Sequence, residues 1–356
     1  MRTSHTPRLA ALGALLLSAG CGAGEAPPPD IALTPAPDTI QTTLFEATAG
    51  AWLGGDRWAV LSPADQRVVI LDFASGTAAD LGNNVKRAYQ GPFALFTTGD
   101  ALYVSDWALR RLTVWTLDGN FVAEVHAPDI TNGTLPRARD GKGNWYLQFN
   151  PAPGPDGSGR RDSAVVVRFP LFFERGDTVL QLSPIDLAEV DGDAGRRFER
   201  RVFSGEDAWG VLADGSIWVA RVTPNRVDWI APDGKTQTGQ RLPDKVFTIS
   251  LSDREAFLRR FPKELRSAAE KVPFSPVKPP FELAFAGGDG NVWLEKSRVI
   301  PDTVRRYQVI GRNGRLLEFV SFNGYGRALA ASPDAVLVTE VQPAGMRFVR
   351  FRHPPR

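Results

Sequence analysis

The sequence predicts an all-β fold, a six-bladed β-propeller whose N- and C-terminal strands close one blade, with one small helical insertion. Three observations predict it. A turn followed by an apolar strand recurs six times. A second strand, opening on Arg and ending in an Asx-Gly turn, recurs beside it, and the two ends of the chain carry complementary strand fragments.

In chain order, the first half of the repeat is a turn at 55–56, 99–100, 143–144, 214–215, 289–290 and 333–334. Each turn leads into an apolar strand, from Trp58-Ala59-Val60-Leu61 at the first to Val336-Leu337-Val338 at the last. The second half is Arg111-Leu112-Thr113-Val114 before Asp118-Gly119, Arg226-Val227-Asp228-Trp229 before Asp233-Gly234, and Arg306-Tyr307-Gln308-Val309 before Asn313-Gly314. Strands at Arg67 and Arg347 start the same way. Asx and Gly tolerate positive φ, so such dipeptides between apolar strands predict hairpins.

Two hairpin-linked strands with a third before them, as at 92–96 ahead of Gly99, make a sheet too small to bury its faces alone. Several stacked around an axis can do so. Where the chain is uninterrupted the turns fall 44 and 45 residues apart (56 to 100, 289 to 334), which fits a four-stranded blade. The last unit offers three strands, at 327–331, 336–341 and 347–352. The stretch 39–47, with Ile40, Thr42 and Leu44 in alternation, is expected to supply the fourth and leave no open edge.

Two stretches depart from the repeat. The Pro- and Gly-rich 150–162 reads as a long loop, and 252–272 as helix. Ser252 and Glu255 have capping-box spacing, and Leu258, Phe261, Leu265, Ala268, Ala269 and Val272 have helical spacing. Pro262 is expected to divide this segment into two short helices, which either flank one mouth of the channel or pack on one blade's side.

The D-G-x-[IV]-W-[VL] strands at 214–219 and 289–294, and Leu102-Tyr103-Val104-Ser105-Asp106 with Arg111 five residues on, resemble the six-bladed propellers of the NHL-like kind. The resemblance spans roughly 38–356. It implies the fold and leaves function open, since such propellers host binding modules, hydrolases, lactonases and lyases.

The N-terminus predicts an address. Arg2 and Arg8 precede an apolar run of nine residues, 9–17, and Ser18, Ala19 and Gly20 precede Cys21, the parts of a secretory signal. The run is too short to span a bilayer. The segment 17–21 resembles the lipobox of bacterial lipoproteins, with Ser18 where an aliphatic residue is usual. The resemblance implies cleavage after residue 20, a lipid anchor on Cys21 and residence in the bacterial cell envelope, on the outer membrane or a periplasmic face. Residues 21–37, with five prolines, read as a tether before a propeller at 38–356. Cys21 is the only cysteine, so the exported domain holds no disulfide and no thiolate metal site. Without 1–20 the chain has 40 basic and 40 acidic residues, a balance that does not steer it to nucleic acid, and a monomer is expected.

Catalytic motifs are sparse. Beyond residue 20 the histidines are His126 and His353, too few for a His-rich zinc site and poorly placed for a hydrolytic triad. Asp191-Gly192-Asp193 with Glu189 lacks the remaining ligands of a calcium loop. The basic 196–201 could bind phosphate or an anionic lipid surface, or form a plain strand edge.

Alignment on the repeat Arg places Ser62, Asp106 and Arg221 five residues before it, and alignment on the strand start adds Gln148, Glu295 and Glu340. With Asn150 these make a candidate channel rim. Asp106, Glu295, Glu340, Gln148 and Asn150 carry the oxygen ligands that Ca²⁺ prefers, whereas Arg221 would repel a cation. Three readings follow: polar strand ends, a neutralised rim for a small ligand, peptide or protein partner, or a metal site. The functional expectation is an envelope-anchored binding scaffold without a resident cofactor. The alternative is a metal-assisted propeller hydrolase, lactonase or lyase using Asp106, Glu295 and Glu340.

Overall fold

The computed structural model describes residues 26–82, 89–150, 163–192, 195–300, 302–324 and 326–354. The signal segment 1–20, Cys21 and the 151–162 part of the expected loop lie outside the described residues.

Six small antiparallel sheets form a ring. Blade 1 comprises strands Ala49–Gly54, Arg57–Ser62, Arg67–Asp72 and Thr77–Asp80, and blade 2 comprises Pro92–Thr98, Ala101–Asp106, Arg111–Thr116 and Phe121–His126. Blade 3 runs from Ala138–Arg139 to Asp177–Gln181 and blade 4 from Ala208–Val211 to Thr236–Gln237. Blade 5 runs from Phe281–Ala286 to Leu316–Asn323, and blade 6 contains Arg327–Ala331, Ala335–Gln342 and Gly345–Arg352. The first strand of each blade touches the first strands of both neighbouring blades, all the way round.

The core explains why a ring is needed. Successive residues of a strand point to opposite faces, and in the second strand of each blade both faces are covered. Trp58 and Val60 join a buried cluster with Leu337 and Phe348 of blade 6, whereas Ala59 and Leu61 join one with Leu102 and Val104 of blade 2. The other four clusters likewise each span one junction between consecutive blades. No blade has a core of its own.

The Asx-Gly turns form hairpins, by a different geometry from the expected one. At Asp118-Gly119, Asp214-Gly215, Asp233-Gly234, Asp289-Gly290 and Asn313-Gly314 only the glycine takes positive φ, between 71° and 88°. Its N–H donates to the carbonyl three residues back, and the strand re-pairs one residue later, as in Gly215 N to Leu212 O and Leu212 N to Ser216 O. This is the three-residue hairpin with a left-handed glycine. At the last four the Asx side chain accepts from the residue after the glycine, as in Ser216 N to Asp214 Oδ1 at 2.9 Å, and so caps the turn; at the first, Asn120 N donates to Thr116 Oγ1 at 3.1 Å.

The N-terminal seal begins earlier than expected. Thr34–Thr42 pairs antiparallel with Gly345–Arg352, and Asp30–Ala32 pairs in parallel with Leu316–Asn323 of blade 5. Pairing therefore starts inside the segment expected to be tether. Leu33 carries it there: the side chain is 7% exposed and packs with Val320, Phe322 and Phe351 at the junction of blades 5 and 6.

Helices α1 (Leu251–Leu258) and α2 (Lys263–Glu270) lie between blades 4 and 5, with Pro262 capping α2. The capping box is Ser250 with Asp253, not Ser252 with Glu255. Asp253 N donates to Ser250 Oγ at 3.2 Å and Ser250 N donates to Asp253 Oδ2 at 3.0 Å. Asp253 is held inside by Lys278 at 2.6 Å, while Glu255 faces solvent. A cluster of Phe203, Phe257, Phe261 and Phe274 docks the pair. The expected apolar stripe is only partly covered: Ala269 is buried and Leu265 is 54% exposed.

Candidate functional site

In each blade the first strand starts, and the second strand ends, on one face of the ring, because consecutive strands run antiparallel. Connections between blades cross the same face, including the hairpin Leu187–Gly192 with Gly195–Arg200 and the α1–α2 insertion. This face holds the mouth of the axial channel.

Two of the cavities on this face adjoin one another at the mouth. The first, about 850 Å³, is lined by Phe93, Leu95, Arg137, Trp209 and the hairpin residues Leu187 and Phe198, among others. Ala49, Leu95, Arg137 and Trp209 also line the axial channel, so the cavity opens into it. The second, about 610 Å³, lies between blades 5 and 6 and the insertion, with Asp253, Ala256 and Arg260 on its helical wall. Arg200, Glu206, Asp207 and Ala208 separate the two and line both.

The charges at the mouth are mostly matched. Arg200 pairs with Glu206. Asp207, its side chain fully covered, accepts from Arg221 Nη1 at 2.7 Å, Ser183 Oγ at 2.7 Å and Val222 N at 3.0 Å. Burial would push its carboxyl up, but those donors hold it below the usual carboxylate range. Arg327 donates to Glu295 at 2.6 Å and Glu282 at 3.2 Å. Burial would lower that guanidinium, and the two carboxylates hold it above its ordinary value. Arg137 stands over the Phe93 ring at 5.4 Å, and among the described residues its guanidinium has no ion pair. Its surroundings pull its pKa down by desolvation, against the attraction of Glu206.

The expected rim residues divide. Gln148 and Asn150 line the first cavity, where Gln148 accepts from Trp209 Nε1 at 2.8 Å and donates to Asn150 at 3.1 Å. Arg221 stands behind Asp207 and positions it. Glu295, fully buried, lies behind the second cavity between Arg305 and Arg327. Asp106 lines neither cavity. Its carboxylate accepts from the N–H groups of Gln90 at 2.9 Å, Gly91 at 2.9 Å and Leu109 at 3.2 Å, tying two loops of blade 2 together. Glu340 is clasped by Arg347 across blade 6, its Nε at 2.9 Å, and Ser62 Oγ donates to Asp65.

Asp106, Glu295 and Glu340 stand on three blades, each already engaged by its own partners. The three acids required for a metal therefore do not meet, and the described residues hold no group of three or more His, Cys, Asp or Glu able to bind a metal ion. His353 is a buried partner of Glu318 at 2.9 Å, while His126 lies in the open beside Glu124. The arginine-rich 196–201 forms a hairpin edge, with Arg200 turned to the mouth.

The rim is thus built one strand inward of the expected positions, by Arg137, Glu206, Asp207, Glu282 and Arg327. The sequence carries a signal for two of them. Arg137 and Glu282 stand six and eight residues before the turn glycines 143 and 290, as the cavity residue Phe93 stands six before Gly99. Counting backward from the turn reaches the strand nearest the axis; counting toward the repeat Arg reaches the next strand out.

No family model matches the chain, and no curated protein does. Solved structures do. A candidate exported protein from Bacteroides fragilis aligns over 92% of this chain and 99% of its own at 8% identity, with a TM-score of 0.50. A member of the DUF4221 family from Bacteroides vulgatus aligns over 90% and 97% at 8% identity, TM-score 0.49. A calcium-binding protein, regucalcin, from Agrobacterium tumefaciens aligns over 92% and 98% at 8% identity, TM-score 0.46. At these identities the likeness speaks to fold alone, and the chain is a six-bladed β-propeller.

Proposed function

We propose that the protein is a cell-envelope binding scaffold, exported and anchored through Cys21, that presents the mouth of its channel to a small ligand or peptide segment with an apolar body and polar ends. The observation that carries this reading is Arg137 at the throat, where the 850 Å³ cavity meets the channel. It is a guanidinium without an ion pair among the described residues, flanked by Phe93 and Trp209, in a cavity within the usual range for small-molecule sites. The apolar run at 9–17 followed by Cys21 supports export and anchoring, and the exported description of the B. fragilis neighbour is in keeping with it.

The neutral probe N-phenyl-1-naphthylamine tests the cavity. Its fluorescence is expected to rise on binding, and Arg137→Ala and Trp209→Ala are expected to weaken it. Binding indifferent to both would remove the mouth from consideration. Cys21→Ser is expected to move the chain from the membrane fraction to the soluble one, and retention in the membrane would exclude the anchor. The metal-assisted alternative is tested by elemental analysis. Stoichiometric calcium or zinc surviving dialysis would replace the binding reading, since no acid cluster among the described residues accounts for it.

A further inference from the structure

The second cavity carries more positive charge than its own walls neutralise. Its lining cations are Arg200, Arg260, Lys278, Arg298 and Arg327. Arg200 is taken by Glu206, Lys278 by Asp253, and Arg327 by Glu282 and Glu295. The remaining lining carboxylate, Asp207, is held by Arg221 from outside the cavity. Arg260 and Arg298 are left without a carboxylate partner among the described residues. Among the described residues Arg298 donates to the backbone oxygen of Asp302, and its neighbour is a second guanidinium, Arg305, already committed to Glu295.

Ser297, next to Arg298, adds an independent sign. The residue is 7% exposed, it lines this cavity, and its Oγ has no hydrogen-bond partner among the described residues. A buried hydroxyl left without a partner is costly, so native structures seldom leave one bare. Arg298 is strained electrostatically in the same sense. Desolvation first, then Arg305, pulls its pKa below the ordinary value, which nearby carboxylates only partly offset. A partly buried guanidinium beside another one, on a cavity wall that also holds an unpartnered hydroxyl, is arranged for an incoming anion.

We propose that the second cavity is an oxyanion site, in which Arg298, Arg260 and the Ser297 hydroxyl hold a carboxylate or phosphate group of the bound ligand. This rests on the mouth being a ligand site and deepens it: the apolar body lies in the first cavity and the charged end in the second, across the Arg200–Glu206 partition. Guanidinium forks bind either oxyanion through paired N–H donors. The helical insertion then has a specific use, since Arg260 follows α1 and closes the cavity from the side opposite the blades.

Calorimetric titration of the purified full chain at low ionic strength, with inorganic phosphate and separately with succinate, tests this. Saturable binding of one of them is expected, and which one binds identifies the group. Arg298→Gln and Arg260→Gln are each expected to weaken it about tenfold, the loss of one charge-assisted contact. Arg298→Lys is expected to recover part of it, keeping the charge without the fork. Arg260 is exposed and makes no ion pair among the described residues, so its variant keeps the fold. N-phenyl-1-naphthylamine should bind both glutamine variants as it binds the parent. Binding of the neutral probe without either oxyanion would overturn the oxyanion site and leave the mouth reading intact. Equal oxyanion affinity in parent and both variants would also overturn it.

Discussion

Asp207 shows how a carboxylate stays charged at the edge of an open cavity. Its oxygens face one guanidinium, one hydroxyl and two N–H groups, so ionisation is favoured although the side chain is covered. Its pKa is therefore depressed on folding below the ordinary aspartate value. A depressed carboxyl contributes stability that is present above the unfolded value and is lost as pH falls through the folded one. Asp207→Asn is accordingly expected to cost about 1 to 3 kcal/mol at pH 7 and progressively less below pH 4, as read by urea unfolding at both ends of that range. An equal cost at pH 3 and pH 7 would mean that charge is not what the site uses. Individual residues were the least legible scale. Asp106 and Glu340 stand at equivalent strand ends, yet one ties down loops and the other pairs across its own sheet. That choice depends on what each connection brings back over the strand, which the repeat pattern does not encode.

At the scale of elements the sequence was read more easily. The repeat located the hairpins, although the turns admit one left-handed residue, not two. Gly215→Ala tests this, since an added Cβ would meet nothing closer than 3.4 Å and only the φ of +88° opposes it. The expected cost is about 1 to 2 kcal/mol by chemical denaturation, and no cost would mean that the turn relaxes freely. The helical cap was misplaced by two residues because Ser250 and Ser252 both precede an acid by three. Tertiary pairing decided between them: Lys278 draws Asp253 inward, so Ser250 becomes the cap. The N-terminal strand was found but begun too late, since prolines at 35 and 37 read as tether. Thr34–Thr42 lies at the outer edge of its sheet, where a missing donor is tolerated. Deleting residues through Leu33 is expected to lower the denaturation midpoint and keep the fold. Deleting through Thr42 exposes the edge of blade 6 and is expected to cause aggregation, measurable by light scattering.

For the whole molecule, the six inter-blade clusters make stability a property of the closed ring. Trp58 is 1% exposed at the junction of blades 6 and 1, and Trp58→Ala is expected to cost about 3 to 5 kcal/mol. Because each junction needs both neighbours, tryptophan fluorescence and circular dichroism should report one coincident transition for parent and variant. Separate transitions would mean that blades melt in sections. Ring size and closure were legible because they follow from a count of turns and an unfilled strand position. The mouth is legible only in part, because much of its wall comes from connections outside the repeat: 182–207, which holds the hairpin, and 238–280, which holds the helices. Those insertions carry Arg200, Glu206 and Arg260 to the site.

Thr42 Oγ1 donates to the carbonyl of Met346, a contact between residues 304 apart in sequence. The strand that completes blade 6 therefore waits for a partner made some 304 residues later. At roughly 5 to 20 residues per second, synthesis separates the two by on the order of 15 to 60 s. Throughout that interval the outer strand of blade 6 lacks the three strands it joins and the ring lacks closure, so the nascent chain has no finished native state to fall into. Such a chain stays pliable until the strand that carries Met346 arrives, and becomes rigid only then.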